Sequence, residues 1–384
     1  MNSPQNQKQI PLSLIVSSLV IALFGILIFG LNPKDFYVAN NVSMVLEPPG
    51  IKFGKYGVAY TDPFSEVIQN NVNGPNGFSF EIALTPENSK EGGFNFIFVL
   101  HNGKDGDQLL MGQWRTHIIF MNGDDYDNKR RMKRISVDTT TLPPGRLFVT
   151  AATGKDGTKI YINGKLFRKK KDLTLKIPNG GLKSRLILGN SVYGRNSWSG
   201  TIYGLAFYQY ELTPQHASLH YNQWLKAKNI AFAKKENPYL LYLFDGNSRS
   251  GFSDHSDRNN FLNIPSRMKI LKKQFFGLPT NIFHFIRVDY QDVVLNFLGF
   301  IPFGFILTAA LIRFDNIIGK HSQLMAVVFG FLLSLTIESI QSWMPARDSS
   351  MLDLVLNTFG TLVGATIYRP VLHLKLLAKK PQFS

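Results

Sequence analysis

The chain of 384 residues contains no cysteine, which rules out a disulfide framework and any thiolate metal site. An exported domain without disulfides must be held by its own core, and a chain of this length can supply one. Acidic residues are scarce beside basic ones, 26 against 42, for a formal net charge of +16. In a wholly soluble protein that excess would point to nucleic acid. Beside long apolar runs it points instead to membrane lipid or an anionic envelope polymer, and nucleic acid is not expected as a partner. Apolar residues make up 44% and charged residues only 18%, the balance of a chain with both soluble and membrane parts.

The long apolar runs come first at residues 292–369. They read "DVVLNFLGFIPFGFILTAALI", "QLMAVVFGFLLSLTIESIQSWMPARDSS" and "MLDLVLNTFGTLVGATIY". Each holds about 20 apolar residues, enough to cross about 30 Å of hydrocarbon. Without water to satisfy the backbone, each run should be a helix, at about 292–313, 323–343 and 351–369. Polar residues interrupt each run near one end. Asp292 and Asn296 are four apart, Glu338 and Gln341 three apart, Asp353 and Asn357 four apart, so each pair shares a helix face. Such groups are costly in hydrocarbon, face a bundle interior and mark candidate sites.

Orientation follows from the basic residues. Arg313, Lys320 and His321 lie between the first two of these runs, and Lys375, Lys379 and Lys380 lie after the third. The positive-inside rule places both segments in the cytoplasm. All three polar pairs then fall in the outer leaflet, beside an outer loop holding Pro345, Arg347 and Asp348. A further apolar run at 11–31 is too long for a signal-peptide h-region and lacks a small-residue cleavage site, so it reads as an uncleaved first helix. Four crossings leave both termini cytoplasmic and everything between the first and second helices outside.

The membrane motifs resemble the VanZ-like family, bacterial membrane proteins named for a teicoplanin-resistance protein. The resemblance rests on D-x3-N-x3-F-x-P-x-G (Asp292, Asn296, Phe300, Pro302, Gly304), on E-x2-Q with P-x-R (Glu338, Gln341, Pro345, Arg347), and on D-x3-N-x2-G (Asp353, Asn357, Gly360). It covers about residues 283–369 and implies a small helical bundle linked to the cell envelope. It supplies no established reaction.

From residue 74 the apolar period becomes two. "GFSFEIALTP", "FNFIFVLH", "HIIFMN", "KIYING" and "SRLILGN" alternate, and Asn102-Gly103, Asn122-Gly123, Asp156-Gly157 and Asn163-Gly164 punctuate them. Short strands with such turns read as a β-sandwich. "RLFVTAATGKDGTKIYINGKL" and "LILGN…WSGTIYGLAFYQYELTPQH" resemble the hairpin and closing strand of the laminin-G / concanavalin A-like jelly-roll family, over about residues 74–221. That resemblance implies fold more than ligand, since such domains bind carbohydrate or protein and some are glycosidases.

Within the sandwich, Asp124, Asp125 and Asp127 share one loop, and Asp105 and Asp107 another. Clustered carboxylates suit Ca2+, which takes about six to eight oxygens. The same residues cap turns through their own backbone, and neither loop has EF-hand spacing, so the turn reading is preferred and no other cofactor is expected. Lys165, Arg168, Lys169, Lys170 and Lys171 form a basic run, read either as a solvated edge-strand gatekeeper or as a rim for a glycan or other anion. Glu81 and Glu87 are available carboxylates, but no E-x-D-x-x-E-like strand accompanies them, so a binding module is expected rather than a hydrolase.

The expected fold is an all-β jelly-roll sandwich inserted into a four-helix transmembrane bundle. Its parts are a cytoplasmic N-terminus at 1–10, a helix at 11–31, and an external sandwich with a trailing helix at 32–235. A linker with a possible extra strand and a basic interfacial segment follows at 236–282, then the VanZ-like part at 283–370 and a basic tail at 371–384. Three readings of function stay open. One is an envelope protein whose sandwich binds glycan while the bundle handles a lipid-linked or envelope substrate, with a link to glycopeptide resistance. Another is an enzyme with Glu338 or Asp353 as acid/base and Arg347 gripping an anion by its bidentate fork. The third is an adhesion or scaffold protein whose polar helix residues only assemble the bundle.

Overall fold

A computed structural model describes residues 11–64, 77–87, 93–178, 184–226, 235–244, 250–256, 258–273, 275–276, 290–314 and 316–377. Two compact units emerge, one formed by residues 38–272 and the other by residues 1–37 together with 273–384.

The central unit is a sandwich of two antiparallel sheets. Its strands are β1 (Val42–Leu46), β2 (Pro49–Phe53), β3 (Ala59–Thr61), β4 (Phe78–Pro86), β5 (Phe94–His101), β6 (Leu109–Trp114), β7 (His117–Asn122) and β8 (Arg134–Asp138). They continue with β9 (Leu147–Gly154), β10 (Gly157–Ile162), β11 (Lys165–Lys170), β12 (Arg185–Leu188), β13 (Gly200–Tyr208), β14 (Leu240–Leu243), β15 (Gly251–Phe252) and β16 (Leu262–Asn263). One sheet runs β1-β2-β13-β4-β9-β10-β11 with β14 also on β13; the other runs β15-β16-β3-β12-β5-β6-β7-β8.

Alternation along β4 explains the layering. Phe78, Phe80, Ile82 and Leu84 enter the core between the sheets, where the Phe80 ring meets Phe98 edge-on at 5.0 Å and Phe207 at 5.7 Å. Glu81 points the other way, beneath a short helix at Pro214–Tyr221, and stays buried. That helix (Pro214–Tyr221) is capped by Thr213 and His216 in a capping box and covers the outer face of the first sheet together with Tyr208, Leu212 and Leu241. At the β10–β11 hairpin Asn163 and Gly164 both have positive φ, 52° and 76°, as a two-residue I′ connection requires.

The stretch at 236–272 belongs to the sandwich. β14 extends the first sheet beside β13, and β15 and β16 extend the second beside β3. Residues 267–272 form no helix. Met268 is buried, Lys269 lies over the Tyr60 ring, and the Leu271 N–H donates to the Val192 carbonyl at 3.0 Å.

The second unit holds four helices long and apolar enough to cross a membrane. We number them α1 (Leu12–Gly30), α2 (Tyr290–Leu311), α3 (Ser322–Gln341) and α4 (Met351–Leu377). Phe300, Phe303, Leu307, Ala326, Ile337 and Ala365 form its core, against which Leu23 and Leu27 of α1 pack. Outward positions such as Ile21, Phe29, Leu295, Leu324 and Phe359 are exposed and apolar, the surface a bilayer covers. Pro302 sits within α2 without ending it. The chain is thus a multi-domain membrane protein, with a β-sandwich between its first and second membrane helices in sequence.

Candidate functional site

The polar residues of the bundle gather where α1 and α3 end and α4 begins. Glu338, one turn before the end of α3, is 1% exposed. Its Oε2 accepts the Ser350 backbone N–H at 2.7 Å, so the carboxylate sits at the N-terminus of α4. Backbone donors without helical partners and the positive end of the dipole both favour an anion there. Asp353 is half-buried in the first turn of α4.

Gln341 ties the helix ends together by donating from Nε2 to the Gly30 carbonyl at 2.8 Å. Lys273 donates to the Gln341 carbonyl at 3.1 Å and to the Met344 carbonyl, capping the negative end of α3. Arg347 donates from Nε to Asp35 Oδ2 at 2.8 Å. One turn deeper, the buried Asn357 donates to Ser334 Oγ at 2.9 Å, and its Oδ1 has no partner among the described residues. Asp348 and Asn296 are half-buried. Asp292 lies in α2, but its side chain is outside the described residues, as are residues 281–289.

Glu338, Gln341, Arg347, Asp353 and Asn357 therefore share one end of the bundle. Arg347 holds Asp35, and Glu338 holds a backbone amide. Sequence reasoning did not single out Asp35, Lys273 or Ser350 as part of this end. Asp35 stands 312 residues from Arg347, and no periodicity links a connecting segment to a loop so distant.

The sandwich candidates are engaged differently. Asp125 is 1% exposed and accepts the Arg130 and Met132 backbone N–H groups at 3.1 and 2.8 Å and Arg134 Nη2 at 3.2 Å. Asp124 bonds Arg130, and Asp127 accepts the Lys129 N–H at 3.1 Å. These carboxylates organise a turn, and no group of three or more His, Asp or Glu is placed to hold a metal among the described residues.

Lys165, Arg168 and Lys169 are exposed on β11, the edge of its sheet. Lys170 reaches the Arg134 carbonyl at 3.2 Å, and Lys171 follows, exposed, after the strand. Glu81 is fully buried, whereas Glu87 pairs with Lys52 at 2.7 Å on the surface.

At one rim the Gly103 N–H donates to His101 Nδ1 at 2.9 Å, leaving the ring proton on Nε2, which faces Asp105 Oδ1 at 2.9 Å. Tyr193 donates to Asp105 Oδ2 at 2.6 Å and Lys272 approaches both oxygens at 3.3 Å. Burial alone would raise the Asp105 carboxyl. Hydrogen bonds from His101 and Tyr193 and the Lys272 charge outweigh it and hold it at about 2.

Residues 202–375 match the family model described as VanZ/LLP1, and residues 63–218 match that of the concanavalin A-like lectin/glucanases superfamily. The first match begins on β13 and so takes in the closing strands of the sandwich as well as α2 to α4. No curated protein matches the chain. Among solved structures, the botulinum neurotoxin serotype D/C VPI 5993 binding domain is 16% identical with a TM-score of 0.38, over 49% of this chain and 47% of that one. Trypanosoma rangeli sialidase in complex with the inhibitor DANA is 14% identical with a TM-score of 0.34, over 48% of this chain and 28% of that one. The chain spans about half the length of the neurotoxin domain it matches, and at these TM-scores no functional property transfers.

Proposed function

We propose that this chain, which joins a concanavalin A-like domain to a VanZ-like domain, is a cell-envelope membrane protein whose sandwich binds glycan outside the membrane. Its helical bundle handles an envelope or lipid-linked ligand at the outer leaflet and contributes to glycopeptide-type resistance. The observation that carries the reading is the gathering of Glu338, Arg347, Asp353 and Asn357 at one end of four helices whose outward surfaces are apolar. Isolated carboxylates do not persist at such depth without a task or a partner. The exposed cations of β11 offer the sandwich a rim that suits an anionic ligand. The basic residues at 313–321 support a cytoplasmic setting for the opposite end of the bundle.

The bond from Ser350 to Glu338 also supports a scaffold reading, in which the carboxylate only caps α4. Two substitutions separate these. Glu338→Gln keeps an oxygen for the Ser350 N–H and removes the charge; Glu338→Leu removes both. Teicoplanin susceptibility is measured in cells producing each chain at equal membrane levels. A working carboxylate predicts that Glu338→Gln is folded yet leaves cells as susceptible as those lacking the chain. Full protection by Glu338→Gln, with loss only for Glu338→Leu, would assign a capping role alone.

A further inference from the structure

Arg347 uses only part of its guanidinium. Nε is bonded to Asp35, but among the described residues neither Nη group has a hydrogen-bond partner, and the side chain is 36% exposed. A guanidinium presents its donors as a planar fork that fits carboxylate and phosphate in bidentate fashion. Here the fork is turned by one carboxylate and left open along its other edge.

The level of that edge in the bilayer is marked by its neighbours. Trp343, directly after α3, is 87% exposed. Phe36 and Tyr37 follow Asp35 and are exposed, and so is Phe275, next to Phe276, whose N–H donates to Ser349 Oγ at 2.9 Å. Four exposed aromatics thus stand in the segments that carry Asp35 and Arg347 or that bond to the loop holding Arg347. Exposed Trp and Tyr, here Trp343 and Tyr37, settle at the boundary between hydrocarbon and headgroups. A soluble ligand gains nothing from these aromatics, whereas a lipid meets them with its headgroup at the same depth as Arg347.

We propose that Arg347 binds the phosphate of a lipid headgroup through its Nη edge, with Asp35 as a positioning residue and built-in competing anion. The inference deepens the reading of this end of the bundle as a ligand site. Its test does not depend on Glu338, so loss of either claim leaves the other open to its own result.

The sign of two substitutions decides it. Both Asp35→Asn and Arg347→Gln break the same ion pair. If the pair only latched the chain after α1 to the α3–α4 loop, both would act in the same direction. If Arg347 is a phosphate site, Arg347→Gln weakens binding while Asp35→Asn strengthens it, because a competing negative charge is gone.

The full chain in maltoside micelles is titrated with phosphatidylglycerol and, separately, with inorganic phosphate, and bound lipid is read by native mass spectrometry. Arg347→Gln is expected to weaken phosphatidylglycerol binding about tenfold and Asp35→Asn to tighten it severalfold, with inorganic phosphate failing to displace the lipid. Arg347→Lys keeps the charge but not the fork and should fall between, which covers the case in which Arg347→Gln does not fold. Parallel weakening by Asp35→Asn and the Arg347 variants, or unchanged binding in all of them, would overturn the proposal. Displacement by inorganic phosphate would overturn the lipid as the source of the phosphate.

Discussion

Replacing Gly364 with leucine is expected to destroy the folded membrane bundle. A Cβ at Gly364 would stand 2.0 Å from the Ile301 carbonyl oxygen and 2.9 Å from the Phe305 nitrogen. Both are backbone atoms of α2, which no rotamer change can move aside. Gly360 meets the Phe297 carbonyl in the same way at 2.3 Å, and Gly304 on α2 meets the Thr361 carbonyl at 2.2 Å. The two helices therefore touch backbone to backbone along a seam that only glycine permits, the close packing on which helix association in lipid relies. Even Gly364→Ala overpacks the seam, at a cost of about 1–3 kcal/mol or more. Leucine must force the helices apart. Gel filtration and thermal unfolding in maltoside should show no monodisperse folded peak for Gly364→Leu and a lowered midpoint for Gly364→Ala. Wild-type behaviour of Gly364→Leu would mean that α2 and α4 do not meet here.

The second large effect is expected in the sandwich at Glu81. Its carboxylate accepts Thr150 Oγ1–H at 2.8 Å, Tyr208 O–H at 3.0 Å and faces His220 Nδ1 at 2.7 Å, all beneath the helix at Pro214–Tyr221. Glu81→Ala removes the acceptor that these groups share in a buried layer. Removing one partner from a buried polar cluster costs about 3–5 kcal/mol. For a domain of this size that lowers the unfolding midpoint by roughly 6–20 °C. Fluorescence of Trp198, buried with its Nε1–H on Gln113 at 2.7 Å, can follow the transition. Glu81→Gln, which keeps one acceptor oxygen, should lose less. A shift for Glu81→Ala smaller than about 2 °C would show that the cluster is not what holds the helix to the sheet.

Much of the fold was legible because its signals are local. The runs at 11–31 and 292–369 are long enough to span a bilayer, and the helices occupy nearly those limits. Alternation marked β4, β5, β7, β10 and β12, and Asn163-Gly164 marked its hairpin. What escaped was short or remote. β15 and β16 have two residues each, too few to carry a period, so their place in the second sheet shows only in three dimensions. The polar faces of α3 and α4 were readable from spacings of three and four residues. Their partners were not, because Asp35, Lys273 and Ser350 lie in connecting segments whose position depends on the helices around them. Glu81 was legible as a residue but not as a buried one, since its role is set by a helix more than a hundred residues later.

The central claim is that the polar end of the bundle and the sandwich face the same, outer side. The cysteine-free chain allows single labelling sites. Lys169→Cys, exposed on β11 of the sandwich, and Trp343→Cys at the polar end should both react with a membrane-impermeant maleimide added to intact spheroplasts, while Lys320→Cys in the basic loop should react only after the membrane is opened. Reaction of Lys320→Cys from outside, or protection of Trp343→Cys while Lys169→Cys reacts, would contradict the account.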